Sequence, residues 1–387
     1  MSVAVVRYNQ TLAALRQAVE LCDGFSDLKP GSRVVLKPNM VLGGRKSQRP
    51  DGIVTTVNLI EEVVTLLREF NCDDITIADG GVIHPEINLN TPRAFEWSGL
   101  ADLAKRLDLP IVDLNEGPFV SFDFEGVKIE IAKIVLEADF VINLPVLKTH
   151  QLTKVSLGLK NLKGVLHEES KKKFHRYGLE HFIAMLGTKI PAHLTIIDGT
   201  YATQKGPVGN DIHRMDLLIA GKNILEADIV GANILGIDPS TVGHIVEYAQ
   251  MTNQKIDLDK IRIQGEKLTA VQKKLEWESA WPQDLMQLYG ISGVHMETPG
   301  YSNCSGCGMG IFVALNNFFR ENTGARFEDV EICAGLEPVA SPEAKKVFCL
   351  GKCACQTNKA HPNAVKIGGC PPSVKRTYDI LKKNLLP

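Results

Sequence analysis

Short apolar runs separated by amphipathic stretches fill the first three hundred residues, and this alternation limits the fold more than any other feature of the chain. Arg33-Val34-Val35-Leu36 reads as a buried strand and Leu59–Phe70 as an amphipathic helix. Asp74-Ile75-Thr76-Ile77-Ala78 reads as a second strand. Further strands occur at Phe140-Val141-Ile142, Leu194-Thr195-Ile196-Ile197 and Leu217-Leu218-Ile219, with a helix from Ile224 to Leu235 after the last. Strands that alternate with helices pack as a mostly parallel sheet with helices on its faces, so an α/β fold is expected. No repeat or low-complexity tract interrupts the pattern.

The polar residues that end these strands point to function. The first strand ends in Lys37-Pro38-Asn39, the second in Asp79-Gly80-Gly81, the Phe140 strand in Asn143-Leu144-Pro145-Val146-Leu147-Lys148-Thr149-His150, and the Leu194 strand in Asp198-Gly199-Thr200. A Gln204-Lys205-Gly206-Pro207-Val208-Gly209 loop comes after the last of these. Open parallel sheets bind ligands outside the carboxyl ends of their strands. Each motif alone is also a good turn former, but four of them on one edge make a plausible site.

The segment from Lys148 to Gly164 is the richest. Lys148, Lys154, Lys160 and Lys163 stand among His150, Thr153, Ser156 and Asn161. Ammonium groups suit a phosphate or carboxylate, amides and hydroxyls add directed hydrogen bonds, and a histidine can carry a proton near neutral pH. A solvated helix face is the plainer alternative, but Val155, Leu157, Leu159 and Leu162 leave few exposed positions. Lys171-Lys172-Lys173-Phe174-His175-Arg176 reads as a solvated basic run, and Asp211-Ile212-His213-Arg214 as a weak site candidate. No phosphate-binding Gly-x-x-x-x-Gly-Lys-Ser/Thr loop and no strand-coupled Gly-x-Gly-x-x-Gly occurs, so neither nucleotide motif is present.

Val35-Leu36-Lys37-Pro38-Asn39, the Asn143–His150 run, Gly158-Leu159-Lys160-Asn161-Leu162-Lys163-Gly164 and Asp198-Gly199 together resemble the family called domain of unknown function 362, over roughly residues 30 to 245. Members of that family are commonly described as uncharacterised iron–sulfur proteins. The resemblance implies an α/β fold and a cluster, and no particular substrate.

Seven of the nine cysteines fall in the last hundred residues, and the break this suggests puts an α/β domain at 1–295 and a smaller α/β cysteine-rich domain at 296–387. Cys304-Ser305-Gly306-Cys307 is a tight chelating pair, and Gly351-Lys352-Cys353-Ala354 with Gly368-Gly369-Cys370-Pro371-Pro372 completes a set of four. Thiolates flanked by glycines suit a 4Fe–4S cluster, because tight turns aim backbone N–H groups at the sulfurs. The composite is similar to the ligand pattern of nickel–iron hydrogenase small subunits and the related subunit of respiratory complex I. That resemblance implies Cys304, Cys307, Cys353 and Cys370 as ligands on a flavodoxin-like fold, although complex I places two adjacent cysteines at the first position. Cys333, Cys349 and Cys355 remain over, and either of the first two could replace Cys353. The Cys349–Cys355 segment resembles a ligand pair of thioredoxin-like 2Fe–2S ferredoxins, which implies a 2Fe–2S cluster as one competing cofactor, and structural zinc is the other. Local pattern predicts helices at Gly310–Arg320 and Ser373–Leu385, with strands at Val330–Ile332, Lys346–Phe348 and Val365–Ile367.

Lys and Arg number 43 against 45 Asp and Glu, a net charge of −2 without a basic excess for nucleic acid. No run of about 18 uncharged apolar residues offers a membrane span. Met1–Arg7 runs straight into a strand-like stretch rather than a signal peptide, so a cytoplasmic location is expected. The expected protein is an iron–sulfur oxidoreductase acting on a small anionic substrate, with a redox partner such as a ferredoxin. Lys148 and His150 would be catalytic, and Lys37, Asn39, Asp79, Lys160, Asn161, Lys163 and Asp198 would bind the substrate. The alternatives are a non-redox lyase or isomerase using an open iron as Lewis acid, or an electron carrier or structural zinc protein without a substrate. Cys370→Ala should abolish the visible chromophore of the anaerobically purified protein; a full-strength cluster in that variant would void the ligand set.

Overall fold

The computed structural model describes residues 2–44, 48–206 and 211–386. The chain divides into two compact units, Met1–Gly81 with Asn90–Glu278, and Val82–Leu89 with Ser279–Pro387. The break therefore precedes the expected boundary at 295/296. The reason is the strand Ser292–His295, which pairs with Arg326–Ala334 and belongs to the second unit.

The strands of the first unit are β1 (Ser2–Arg7), β2 (Val34–Pro38), β3 (Ile75–Asp79), β4 (Ile111–Asp113), β5 (Phe119–Phe124), β6 (Val127–Ala132), β7 (Phe140–Leu144), β8 (Val146–His150), β9 (Lys154–Ser156), β10 (Leu194–Thr203), β11 (Ile212–Gly221) and β12 (Arg262–Gly265). Ten of them form one sheet in the order β12-β1-β11-β10-β7-β2-β3-β4, with β8 on the far half of β10 and β9 on β8. β5 and β6 make a separate antiparallel pair. The run β10-β7-β2-β3-β4 is parallel throughout. β11 is antiparallel to both β1 and β10, so the sheet is mixed.

Helices cover both faces, which is why these strands read as continuous apolar runs rather than alternating ones. Val35, Val141, Ile197, Leu217 and Ile219 pack into one core, together with Ile224, Ile229 and Val230 of the helix Ile224–Ile234. Their strand neighbours Leu36, Ile142, Leu194 and Ile196 pack into the other, with Ile60, Val63, Val64 and Leu67 of the helix Val57–Glu69. Among the described residues no helix is long and apolar enough to cross a membrane.

The second unit contains a four-stranded parallel sheet of β13 (Ser292–His295), β14 (Arg326–Ala334), β15 (Lys346–Leu350) and β16 (Ala364–Ile367), laid down in sequence order. A flavodoxin-like sheet would reverse its order at the first strand, so this part of the resemblance does not carry over. Helices Ser305–Glu321, Gly351–Thr357 and Val374–Leu385 accompany the sheet. Ile332, Phe348 and Ile367 pack with Ile311, Leu315, Phe318 and Leu381 in one core. Cys333, Val347 and Cys349 pack with Ala340, Ala344 and Ala354 in a smaller one.

One buried carboxylate holds the lysine-rich segment to the first unit. Asp228, in the helix Ile224–Ile234, accepts the N–H groups of Gly158 at 2.6 Å and Leu159 at 2.9 Å, where the short helix Gly158–Asn161 begins. A Cβ on Gly158 would stand 2.7 Å from that carboxylate, so only glycine allows the approach. Asp228→Ala leaves two buried donors unpaired and should lower stability by about 1–3 kcal/mol. Urea denaturation checks this, with a smaller loss expected for Asp228→Asn, which keeps one acceptor.

Candidate functional site

Because β7, β2, β3 and β4 are consecutive parallel neighbours, their carboxyl ends meet on one edge, and the polar residues that end them are brought together. Lys37 at the end of β2 is buried and donates to Asp79 of β3 at 2.6 Å and to the Pro38 carbonyl at 2.9 Å. The second Asp79 oxygen accepts the Met40 N–H at 2.6 Å. Gly164 seals this pair from the other side: a Cβ there would lie 2.0 Å from an Asp79 oxygen and 2.7 Å from the Lys37 ammonium. Burial drives the Lys37 pKa down against the pull of Asp79.

Asn161 donates to the side-chain oxygen of Asn143 at 2.8 Å and to the Lys37 carbonyl at 3.3 Å, which ties the lysine-rich segment to the ends of β7 and β2. Lys148, expected at the end of the Phe140 strand, lies within a strand of its own, β8. It is fully buried and donates to the Ile53 carbonyl at 2.7 Å and to Asn39 at 3.4 Å. Burial lowers its pKa to about 7, with Asp79 opposing. Lys160 likewise falls to about 7, through burial and then the nearby charge of Lys148, with Glu180 opposing.

His150 is buried at the end of β8, and its Nδ1 accepts the Leu152 N–H at 3.0 Å. That bond leaves the ring proton on Nε2. Burial, and then the charges of Lys160, Lys148, Lys163 and His175, push its pKa well below the usual value, so the ring is neutral.

Two groups that sequence reasoning set aside join the cluster. Lys171 donates to the Gly80 carbonyl at 2.8 Å and to Asn115, just beyond β4, at 2.6 Å, and burial lowers its pKa to about 8. Gly80 has no room for a side chain, since a Cβ would sit 2.6 Å from that ammonium. His175 lies 2.7 Å from the Lys163 ammonium. In the helix Glu168–Tyr177, Lys172 instead pairs with Glu168 at 2.7 Å, and Lys173 donates to the Lys128 carbonyl at 2.7 Å. The available signal was spacing: Lys171 precedes the buried Phe174 and His175 by three and four residues, on one helix face.

Asp198 serves a different role. One of its oxygens accepts the Thr56 N–H at 2.8 Å, ahead of the helix Val57–Glu69, and the other accepts the Thr200 hydroxyl at 2.7 Å. Arg214 and Asp216 pair with each other on β11 at 2.9 Å. Pro207, Val208 and Gly209 of the expected glycine-rich loop lie outside the described residues.

In the second unit, the helix Ser305–Glu321 starts directly after Cys304 and carries Cys307 in its first turn. Burial raises the Cys307 thiol, and Cys304, Cys370 and Cys353 stand near enough to raise it further. Gly351, at φ +88°, approaches the same sulfur, which a Cβ would reach at 3.2 Å. Cys307 packs beside the core that holds Ile332 and Phe348, whereas Cys333 and Cys349 face the opposite, alanine-lined core. Cys333 and Cys349 are register partners across β14 and β15, and Cys355 donates to the Cys349 carbonyl at 3.3 Å. Among the described residues, no three His, Cys, Asp or Glu side chains converge on a point where one metal ion would sit.

A family model described as "Domain of unknown function (DUF362)" matches residues 34–233, just over half of the chain, and the chain belongs to that family. The match takes in every residue of the strand-end cluster and ends before the cysteine-rich region. Thylakoid-associated protein sll1697 of Synechocystis sp. is 29% identical over 245 residues, which cover 60% of this chain and 72% of that protein. Among solved structures, the lactate racemase apoprotein from Thermoanaerobacterium thermosaccharolyticum aligns with 86% of this chain and 69% of its own at 14% identity and a TM-score of 0.37.

The buried lysines have a consequence for stability. Lys148 sheds its proton near pH 7 when folded, against 10.5 as the ordinary value, so between these limits the unfolded chain binds more protons. Stability should therefore rise with pH from about 7 to 9, by at most about 1.4 kcal/mol per pH unit from this group. Urea titrations across that range check the slope, which Lys148→Met should reduce.

Proposed function

We propose that this member of the family is an acid–base enzyme, of the isomerase or lyase class, which holds a small anionic substrate at the strand ends of its first unit and moves a proton there without net redox change. The observation that carries this reading is the grouping of Lys148 and Lys160, each with a pKa near 7, with a neutral His150. Buried ionisable groups with shifted pKa values concentrate where proton transfer is needed. A lysine half-deprotonated at neutral pH can take a proton and return it.

In this reading Lys148 is the proton carrier. The neutral His150 donates from Nε2 to a substrate oxygen and stabilises negative charge there as it develops. Lys163 and Lys171 attract the anionic group, and Asn161 supplies a directed amide contact. Lys37 is held by Asp79, so it contributes field more than contact. Asn39 positions the Lys148 ammonium rather than meeting substrate directly.

The cysteines of the second unit complete the proposal. Cys304, Cys307, Cys353 and Cys370 fit a 4Fe–4S cluster by donor chemistry, by the grouping of thiols around Cys307, and by the bare Gly351 backbone against its sulfur. Such a cluster supplies single electrons or, with an iron left open, Lewis acidity.

A second reading, a reductase served by a ferredoxin-like donor, is favoured by one observation: three further thiols influence Cys307, enough for a set of four ligands that would leave no iron open. The deciding experiment incubates the anaerobic protein in D2O with dicarboxylates and phosphorylated hydroxy acids, with and without reductant. Deuterium entering substrate carbon without reductant is the expected result, and Lys148→Met and His150→Phe should slow it by about 10²–10⁴-fold. Turnover that strictly requires reductant would overturn the acid–base reading in favour of the reductase.

A further inference from the structure

Residues Val82–Leu89 pack with the second unit, although the chain on both sides belongs to the first. Two side chains in this short segment meet the helices that follow Cys304 and Cys370. Glu86 accepts the N–H groups of Val374 at 2.7 Å and Lys375 at 2.6 Å and the Ser373 hydroxyl at 3.2 Å, capping the helix Val374–Leu385. Burial works against the Glu86 carboxylate, but these donors outweigh it and hold its pKa below the usual value. The cap holds the start of this helix, three residues beyond Cys370.

His84 is 2% exposed, and among the described residues neither ring nitrogen has a hydrogen-bond partner. Its ring lies against Gly310, where a Cβ would approach Nε2 to 2.4 Å. Gly310 is three residues beyond Cys307, on the same face of the helix Ser305–Glu321. The preceding carbonyl, of Ile83, would meet a Cβ on Gly306 at 2.9 Å, so the segment lies along the chelating Cys-x-x-Cys turn itself. The Glu86 charge, the histidine's own carbonyl and the Pro372 carbonyl, two residues past Cys370, are near enough to favour the protonated ring. Burial is the larger influence and keeps the ring neutral.

A neutral imidazole has one donor and one acceptor, and burying both without partners leaves their desolvation uncompensated. Native proteins seldom tolerate this unless another group completes the site. The ring here is flanked by residues that closely follow two of the four proposed ligands. We propose that His84 donates its ring N–H to a sulfur of the cluster held by Cys304, Cys307, Cys353 and Cys370, and so raises the cluster's reduction potential. Hydrogen bonds to cluster sulfurs favour the more negative, reduced state, and partners outside the ligand set orient and tune the metal. His84 is thus a positioning residue. The inference rests on the cluster half of the proposed function and is independent of the acid–base half.

The test uses the full-length, anaerobically purified protein, with iron and sulfide counted per chain. It combines an EPR-monitored redox titration with pulsed EPR after exchange into D2O. The expected result is an exchangeable deuteron coupled to the reduced cluster, which His84→Leu loses while its potential falls and its iron and sulfide stay unchanged. His84→Gln, which keeps a donor, should recover part of both signals. A full cluster in His84→Leu with unchanged potential and coupling would overturn the inference, and so would loss of the cluster from both variants, which would make His84 structural. Absence of iron and sulfide from the wild-type protein would instead refute the cluster reading, and this inference with it.

Discussion

The ion pair between Lys37 and Asp79 is the interaction on which the rest of the first unit's site depends. It joins the ends of two neighbouring parallel strands, and every polar group nearby is arranged around it. Asp79 fixes the backbone at Met40 with its second oxygen, and Asn161 reaches the Lys37 carbonyl from the lysine-rich segment. Gly164 and Gly80 let backbone close directly on the charged groups. Removing two charges from water is expensive even when they pair well, so the arrangement is a poor way to gain stability. It is a good way to hold an electrostatic environment rigid. Lys148 is buried there too, Lys160 and Lys171 are half-buried, and the loss of water lowers the pKa of all three.

Much of this was legible in the sequence, because strand-end chemistry is written locally. Lys37-Pro38-Asn39 and Asp79-Gly80-Gly81 end apolar runs, and the α/β pattern implies that β7, β2 and β3 run parallel, though not in which order they lie. What was not legible depends on partners distant in sequence. The antiparallel insertion of β11 between β1 and β10 makes the sheet mixed, and no local pattern encodes strand direction. Val146–His150 reads as a polar tail until β10 and β9 supply hydrogen-bonding neighbours. Lys171 was hidden in a run of three lysines, and only the packing of Phe174 shows which one turns inward. Asp198 had the composition of a binding group, but a helix start and a hydroxyl claim its oxygens.

The cysteines show the same division between type and placement. Spacing separated the Cys-x-x-Cys pair and the two glycine-flanked cysteines from the rest, and Cys304, Cys353 and Cys370 all contribute to the raised pKa of Cys307. The remaining three have no such spacing. Period-two alternation along β14 and β15 sends Cys333 and Cys349 to the face away from Cys307, where small alanines surround them. Their burial raises both thiols, to about 12 and about 11, which is the behaviour of inert core residues rather than reactive ones.

The excursion of Val82–Leu89 bears on how such a protein can be cut and recombined. A stretch comprising only residues 279–387 would contain every cysteine proposed as a ligand and all four strands of its sheet. It would still lack the carboxylate that caps its last helix and the chain that lies along its Cys304–Cys307 turn. The cysteine-rich unit is therefore not a module that a gene fusion could attach or remove at one junction. A lineage that gains or loses it must also remodel the loop after β3, eight residues that the first unit's own sheet does not require.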